Sequence, residues 1–546
     1  MTTQGPRFGH ACGSRHPGSF PMISGLISKR KLFSAPSNNT RAMKLFLAID
    51  LGTSACRALV ADERGRELAL ASREYPVHEP GPGRQEQDWR EVFQGMSAAT
   101  RKAVSGIDKK RIAAISFSSA MHGFMPVDKD SRPLLRMMTW ADGRSQGQAQ
   151  KLAADFGGEI FQRTGCMATA LYYPARILWL KANARDVFKR TRRFVSLKDL
   201  IVRELIGKWV VDQSQASSNG LLNIRGLEWD ETMLRALGIS EEMLPELIAP
   251  DAVAGELASR PAKALGLPAG IPVIAGAGDG GLANLGSGAI DPGQIAATIG
   301  TTGAMREIFG RPWLAPSGKI WCYYLASGLW YAGGAINSGG IILRWLRDGL
   351  LSSERDAAAK AGMDPYTAII RMAERAGPGA GGLLFLPHLF GERTPHWNPE
   401  ARGVLFGISP GHGKAHVARA ALEGICMCMA QIFELLKDSP AGVKEIRASG
   451  GFARSRLWVQ IFADILGQPV AVCRARESSA LGAAMLGMKA VGVINSLAQA
   501  RKMVKLTRVL EPDPGRTRFY QPRFLMFKDL YSRLEPEFLR WARLQG

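Results

Sequence analysis

Two stretches of this chain carry one pattern. β-prone residues run into a Gly-Thr turn and out again at Asp50-Leu51-Gly52-Thr53-Ser54 and, some 250 residues later, at Thr298-Ile299-Gly300-Thr301-Thr302-Gly303. The first belongs to a β-meander spanning Leu45 to Val77, with a further turn at Asp62-Glu63-Arg64-Gly65; the second is a hairpin from Gln294 to Met305. A recurrence at that spacing predicts two related halves. Helical patterns at Ile177 to Leu180, Leu197 to Leu205, Ile341 to Leu351 and His416 to Leu436 alternate with short apolar strands at Ile112 to Phe117 and Pro272 to Ala275, so the expected class is α/β. At 546 residues the chain is longer than one hydrophobic core serves. Two domains are therefore expected, over 44–290 and 291–546, with a cleft between them.

Composition narrows the partners. No stretch approaches the roughly 20 apolar residues that span a bilayer, so no membrane partner is expected. Seven cysteines lie scattered without a Cys-x-x-Cys pair, which argues against a disulfide framework or structural zinc and for a reducing, cytoplasmic compartment. The formal net charge of +22 points to an anionic partner, either nucleic acid or a small acidic ligand. Residues 1–49 hold no Asp or Glu and contribute +7 of it through Arg7, Arg15, Lys29, Arg30, Lys31, Arg41 and Lys44. Residues 1–43 are expected to be a disordered basic extension, with a start at Met43 favoured over a targeting segment. Beyond Lys44 the basic residues are dispersed, and nucleic acid is not expected as a partner.

Holding a triphosphate requires several donors that converge on oxygen without side-chain bulk in the way, which Gly-rich turns provide. Three such turns follow β-like runs: Gly52-Thr53-Ser54, Gly300-Thr301-Thr302-Gly303 and Gly450-Gly451-Phe452-Ala453-Arg454-Ser455. The Gly-x-x-x-x-Gly-Lys-Ser/Thr loop is absent, which disfavours a P-loop enzyme. Asp50, directly before the first turn, is a candidate Mg²⁺ ligand, with an ordinary turn-forming role as its plain alternative. Asp279 stands in Gly276-Ala277-Gly278-Asp279-Gly280-Gly281 after an apolar strand, where small neighbours are expected to admit a ligand; a carboxylate there is placed to take the proton of a hydroxyl attacking a γ-phosphorus. The same glycines spell the dinucleotide fingerprint, but no acid follows about 20 residues on, as that fingerprint expects. Ser118 to Gly123 and Trp140-Ala141-Asp142-Gly143-Arg144 supply a second polar cluster suited to a polyol.

These motifs, together with Gly391-Glu392-Arg393-Thr394-Pro395, the run Gly403 to Glu423 and Ser449 to Ser455, resemble in order and across residues 44 to about 490 the FGGY family of carbohydrate kinases. The resemblance implies two actin-like, ribonuclease-H-like domains, the first binding sugar and phosphate and the second nucleotide, with ATP, Mg²⁺ and a small carbohydrate in the cleft. It implies Asp279 as catalytic base and Asp50 near the metal. It further implies substrate contacts from Met121, His122, Asp142, Arg144 and Lys198, and phosphate contacts from Gly52, Thr53, Ser54, Arg57, Gly300, Thr301 and Thr302. Nucleotide contacts would come from Gly450, Gly451, Phe452 and Ser455. Within the family the resemblance is strongest to the gluconokinase branch, through Phe117 to His122, Thr139 to Asp142, Phe194 to Asp199, Leu282 to Gly293 and Asn337 to Gly340, with xylulose or another polyol as the alternative substrate. Homo-oligomerisation is left open. Two departures stand beside the matches. Gln85 to Trp89 is shorter than the family's Glu-Gln-Asp-Pro-x-x-Trp, which weakens Glu86 as a ligand, and Arg176 replaces a family lysine.

Overall fold

The computed structural model describes residues 43–475 and 477–545. All but the last residue of the expected basic extension 1–43 therefore lies outside the described residues. Strand β1 (Leu45–Leu51) is buried at every position, as an apolar run enclosed on both faces must be. It pairs antiparallel with β2 (Ala55–Asp62), which pairs antiparallel with β3 (Glu67–Glu74), an edge strand whose side chains are largely exposed. β4 (Ile112–Ser119) joins the other side of β1 in parallel; β5 (Val253–Glu256) and β6 (Pro272–Gly278) complete the sheet in the order β5-β6-β4-β1-β2-β3, with β6 parallel to β4. This antiparallel meander excludes the all-parallel dinucleotide fold.

The second sheet repeats the scheme. β7 (Gln294–Ile299) and β8 (Gly303–Phe309) form the second Gly-Thr hairpin, β10 (Leu329–Ile336) adds antiparallel to β8 with β9 (Trp321–Ala326) antiparallel at the edge beyond it, and β11 (Glu445–Ser449) and β12 (Val470–Cys473) lie parallel beyond β7. β13 (Leu506–Leu510) closes the edge, for an order of β9-β10-β8-β7-β11-β12-β13. Counted from the central strand, antiparallel strands to one side and parallel strands to the other, the two sheets are the same motif used twice. They are the two actin-like, ribonuclease-H-like halves of an α/β fold.

Helices cover both sheets. α1 (Trp89–Ala103), capped by Asp88, buries Val92, Met96, Ala99 and Ala103 at the spacing of one helical stripe and packs on β2 and β3. α2 (Leu197–Ile206) opens with a capping box between Ser196 and Asp199. α3 (Asp279–Ser287) follows β6, α4 (Lys414–Leu436) packs on the far side of the second sheet, and α5 (Ser478–Ala490) follows β12. The helix expected from Ile341 to Leu351 ends at Asp348, where Gly349 closes it with an N–H bond to Trp345 O, and a new helix begins at Ser352.

α3 and α5 lie between the sheets, sharing a core with Phe46, Ala48 and Leu59 of the first and Tyr323, Leu325 and Tyr331 of the second. Their close crossing depends on glycine. A Cβ on Gly482 would run into Leu282 O, and one on Gly286 would meet Ser478 O. The six cysteines among the described residues are buried and unpaired. No helix of the described residues is long and apolar enough to cross a membrane.

Candidate active site

The first turn is braced by side chains. Gly52 N–H donates to Ala55 O at 3.1 Å, and a Cβ on Gly52 would lie 2.9 Å from that oxygen, so the turn is tight because residue 52 is glycine. Gln87 Nε2 donates to Thr53 O (2.6 Å) and Trp140 Nε1 to Thr53 Oγ1 (2.9 Å), while Ser54 faces solvent. Backbone alone braces the second turn. Gly340 N–H donates to Gly300 O at 2.7 Å and Ile341 N–H to Thr301 O at 3.1 Å, leaving Gly300 and Thr301 exposed with open space beside Gly300. A Cβ on Gly339 would stand 2.5 Å from the carbonyl carbon of Thr302. The Gly339-Gly340 pair thus packs on the second turn and braces it, and the run Asn337 to Gly340 is its sequence signal. In the third turn Gly450 has φ +89 and Gly451 is exposed, while Ser455 caps the following helix through Trp458 N–H at 3.2 Å. Phe452, expected among the nucleotide contacts, instead sends its ring into the core against Trp458 and Phe462.

Two carboxylates meet where the halves approach. Asp50 on β1 is buried; its Oδ1 accepts from Ser118 Oγ at 2.7 Å and its Oδ2 from Arg57 Nη1 at 3.3 Å. The β-ladder imposes both contacts, because Ser118 and Arg57 are the cross-strand neighbours of Asp50. Arg57 also reaches Glu477 Oε2 at 3.2 Å, at the head of α5. Asp279 heads α3 and is half-buried. Burial first, and the charge of Asp50 second, push its carboxyl up to about 6, against the opposing pull of Arg306. The glycines around it, expected to admit a ligand, also admit side chains of the protein itself. A Cβ on Gly278 would lie 2.7 Å from Met121 Sδ, and one on Gly281 would lie 2.8 Å from Leu325 and Tyr331, so these glycines admit the pocket's own side chains.

The polyol cluster divides into wall and scaffold. His122 holds a φ of +67 and is buried, with Nδ1 2.8 Å from Ser218 O and its ring edge-on to Tyr172 and Tyr323. Burial drives its pKa down to about 3, so it is neutral; the carbonyl fixes the proton on Nδ1 and leaves Nε2 as an acceptor. Met121 receives the Tyr331 hydroxyl at 3.3 Å and shares a pocket with Thr53, Gln87, Thr139 and Trp140. Asp142 and Arg144, expected to touch substrate, pair with each other at 2.7 Å, and Arg144 also binds Glu86 at 2.6 Å. They clip the loop around Trp140 to the Glu86 segment, which gives Glu86 a structural role. Lys198, also expected at the substrate, is buried against Asp212 and Ala275 O. Arg176 is buried too and donates to the carbonyls of Ala170, His122, Met138 and Thr139, tying the wall together from behind.

Two arginines that sequence reasoning did not single out stand close to Asp279. Arg393 lies 4.8 Å above the Trp140 ring, and Arg306 donates from Nε to Gly280 O at 3.1 Å. Only the motif Gly391 to Pro395 signalled the first. Among the described residues one group of three potential metal ligands lies together, His388, Glu392 and Cys428; its closest pair, His388 Nδ1 and Glu392 Oε2 at 2.6 Å, is a hydrogen bond that steadies the loop carrying Arg393.

Family models match both halves: the N-terminal domain of the FGGY family of carbohydrate kinases over residues 45–286 and the C-terminal domain over residues 296–491. A gluconokinase of Bacillus subtilis (strain 168) is 38% identical over 501 residues, covering 91% of this chain and 98% of that protein. A xylulose kinase of Escherichia coli (strain K12) is 29% identical over 90% of this chain and 99% of its own length. Among solved structures, gluconate kinase from Lactobacillus acidophilus superposes with a TM-score of 0.84 at 30% identity, covering 92% of this chain and all of that one. The paired turns, the facing carboxylates and these matches agree, and the chain belongs to the FGGY family of carbohydrate kinases, enzymes that phosphorylate sugars with ATP.

Proposed function

We propose that the chain phosphorylates D-gluconate to 6-phosphogluconate, with Asp279 as the general base. The observation that carries this reading is the position of Asp279: it heads α3 beside Asp50 at the phosphate turns, with the Met121-His122 wall on its other flank. At neutral pH a carboxyl titrating near 6 is mostly ionised, yet basic enough to take a hydroxyl proton as the oxygen attacks phosphorus. Phosphoryl transfer needs little covalent help. Alignment of the acceptor and neutralisation of shifting charge supply the rate.

The donor set fits Mg²⁺. Asp50 is a buried carboxylate bonded to Ser118 and Arg57, and its charge together with that of Asp279 makes a repulsion that a divalent cation would relieve. Asp50 would hold the ion, directly or through water, and the ion would neutralise phosphate oxygens. The solvent-facing backbone of the turns at Ser54, Gly300-Thr301 and Gly451 is suited to the phosphates, and closure of the halves about α3 and α5 would exclude water.

Gluconate is favoured because gluconokinases are the more similar curated relatives, at 38% against 29% for xylulose kinase. Xylulose is the second reading, since a xylulose kinase from Lactobacillus acidophilus superposes equally well, with a TM-score of 0.84 at 30% identity. ADP release with gluconate, xylulose, ribulose and glycerol in parallel tests the choice. Gluconate is expected to dominate; background rate with gluconate beside turnover of xylulose would sink it.

A further inference from the structure

Three arginines are nearly fully buried among the described residues: Arg176, Arg306 and Arg419. A guanidinium taken out of water must find acceptors for its donors, and an anion for its charge, or its burial is strongly destabilising. Arg176 distributes its donors over four main-chain carbonyls, and Arg419 pairs with Glu423 at 2.7 Å and bonds Tyr520. Arg306 differs. It makes one hydrogen bond, from Nε to Gly280 O, has no carboxylate within ion-pair distance, and leaves Nη1 buried with no partner.

The surroundings of Arg306 say which anion is missing. It lies on β8, three residues past Gly303, so about 10 Å of strand separates it from the Gly-Thr turn suited to phosphate. Its neighbours are those of the polyol wall. The Cβ position of Gly280 is 3.2 Å from Met121 Cε and 3.4 Å from Arg306 Nε, and Tyr331, bonded to Met121, feels the charges of both Arg306 and Asp279. Asp279 is the carboxylate whose charge acts on Arg306, but its work as a base removes that charge during the reaction. A cation kept short of acceptors and of counter-charge, beside the Met121 wall and the base, fits a substrate that brings its own carboxylate.

We infer that Arg306 is the residue that selects a sugar acid over a neutral sugar, its free Nη1 donating to a carboxylate oxygen of the substrate. The inference rests on the gluconate reading and goes beyond it in naming the group that enforces the choice. Neutral polyols would leave that donor unpaired in a dry site, and sites built for a hydrogen bond reject ligands that lack it.

The test is the ratio of kcat/KM for gluconate to that for gluconamide, its neutral isostere, in wild type, Arg306→Leu and Arg306→Lys. Wild type is expected to favour gluconate, Arg306→Leu to shrink the ratio by about 10²-fold, and Arg306→Lys to restore part of it, since truncating one side of a buried charge pair costs that much. A common loss of folding or turnover cancels in the ratio. Where turnover is too low, the melting-temperature shift given by each ligand without ATP gives the same comparison. A ratio unchanged in Arg306→Leu overturns the inference while leaving the gluconate reading intact, as does a wild type indifferent to the carboxylate. A wild type that turns over xylulose but not gluconate removes the gluconate reading, and the inference with it.

Discussion

The two halves of the molecule place different chemistry on one scaffold. Two residues before the first turn glycine stands Asp50, and two before the second stands Thr298. Each is bonded to the serine opposite it on the parallel neighbour strand: Ser118 Oγ donates to Asp50 Oδ1 at 2.7 Å, and Thr298 Oγ1 shares a hydrogen bond with Ser449 Oγ at 3.0 Å. Across the hairpin, Asp50 faces Arg57 where Thr298 faces Ala304. The heads of the equivalent helices differ as well. Asp279 opens α3 without an ion pair, whereas Glu477, at the head of α5, is held by Arg57. At the turns themselves the first half carries a charged pair and the second a neutral one, so the first turn offers a site for a cation while the second offers neutral hydroxyls.

Exchanging the two sets of residues tests that division. The largest effect is expected from Asp279→Asn, which keeps the shape of the helix head and removes the base: turnover falls by about 10² to 10⁴-fold with ATP affinity retained, measured by ADP release and by nucleotide titration. Asp50→Thr makes the first half resemble the second. A loss of about 10²-fold in kcat is expected, together with a raised Mg²⁺ requirement; an unchanged Mg²⁺ titration would remove Asp50 from the cation. The reverse change, Thr298→Asp, sets a carboxylate beside the second turn and is expected to raise KM for ATP about tenfold by repulsion of the phosphates. Glu477→Gln frees Arg57 from one partner. Half-exposed ion pairs are worth up to about 1 kcal/mol, so a change of less than about fivefold is expected, and a loss matching that of Asp279→Asn would show that the two acids are not divided as described.

The hairpins, the repeat and most helices were legible in the sequence because each rests on local pattern: apolar runs for β1 and β4, a Gly-Thr turn in each half, and stripes of Val92, Met96 and Ala99 in α1. Asp279 and the turns were legible for the same reason. Side-chain partnership was not. Asp142-Gly143-Arg144 reads as a polar pocket wall, yet Glu86, 58 positions away in sequence from Arg144, completes a closed ion-pair cluster, and Asp212 occupies Lys198 in the same way. Arg306 carried no signal, since an arginine inside a β-run is ordinary until its lack of a partner is visible. The glycines flanking Asp279 are sites of close approach, and the side chain that comes close to both is Met121, a partner the sequence did not name.

The finest test of the contrast is the titration of Asp279 itself. Two causes raise its carboxyl to about 6: burial, the larger, and the charge of Asp50, a charge for which the second half has only Thr298. Because the base works ionised, kcat/KM is expected to fall about tenfold per pH unit as pH drops below that value and to level off above it. Asp50→Asn removes the second cause and leaves the first. The inflection should then move to lower pH while staying above 3.8, the ordinary value for aspartate, since burial still disfavours the charge. Following the Asp279 carboxyl resonance in free enzyme separates this from any loss of turnover. An inflection that stays at 6 in Asp50→Asn would mean that burial alone sets it, and that the halves differ in geometry at Asp279 more than in charge.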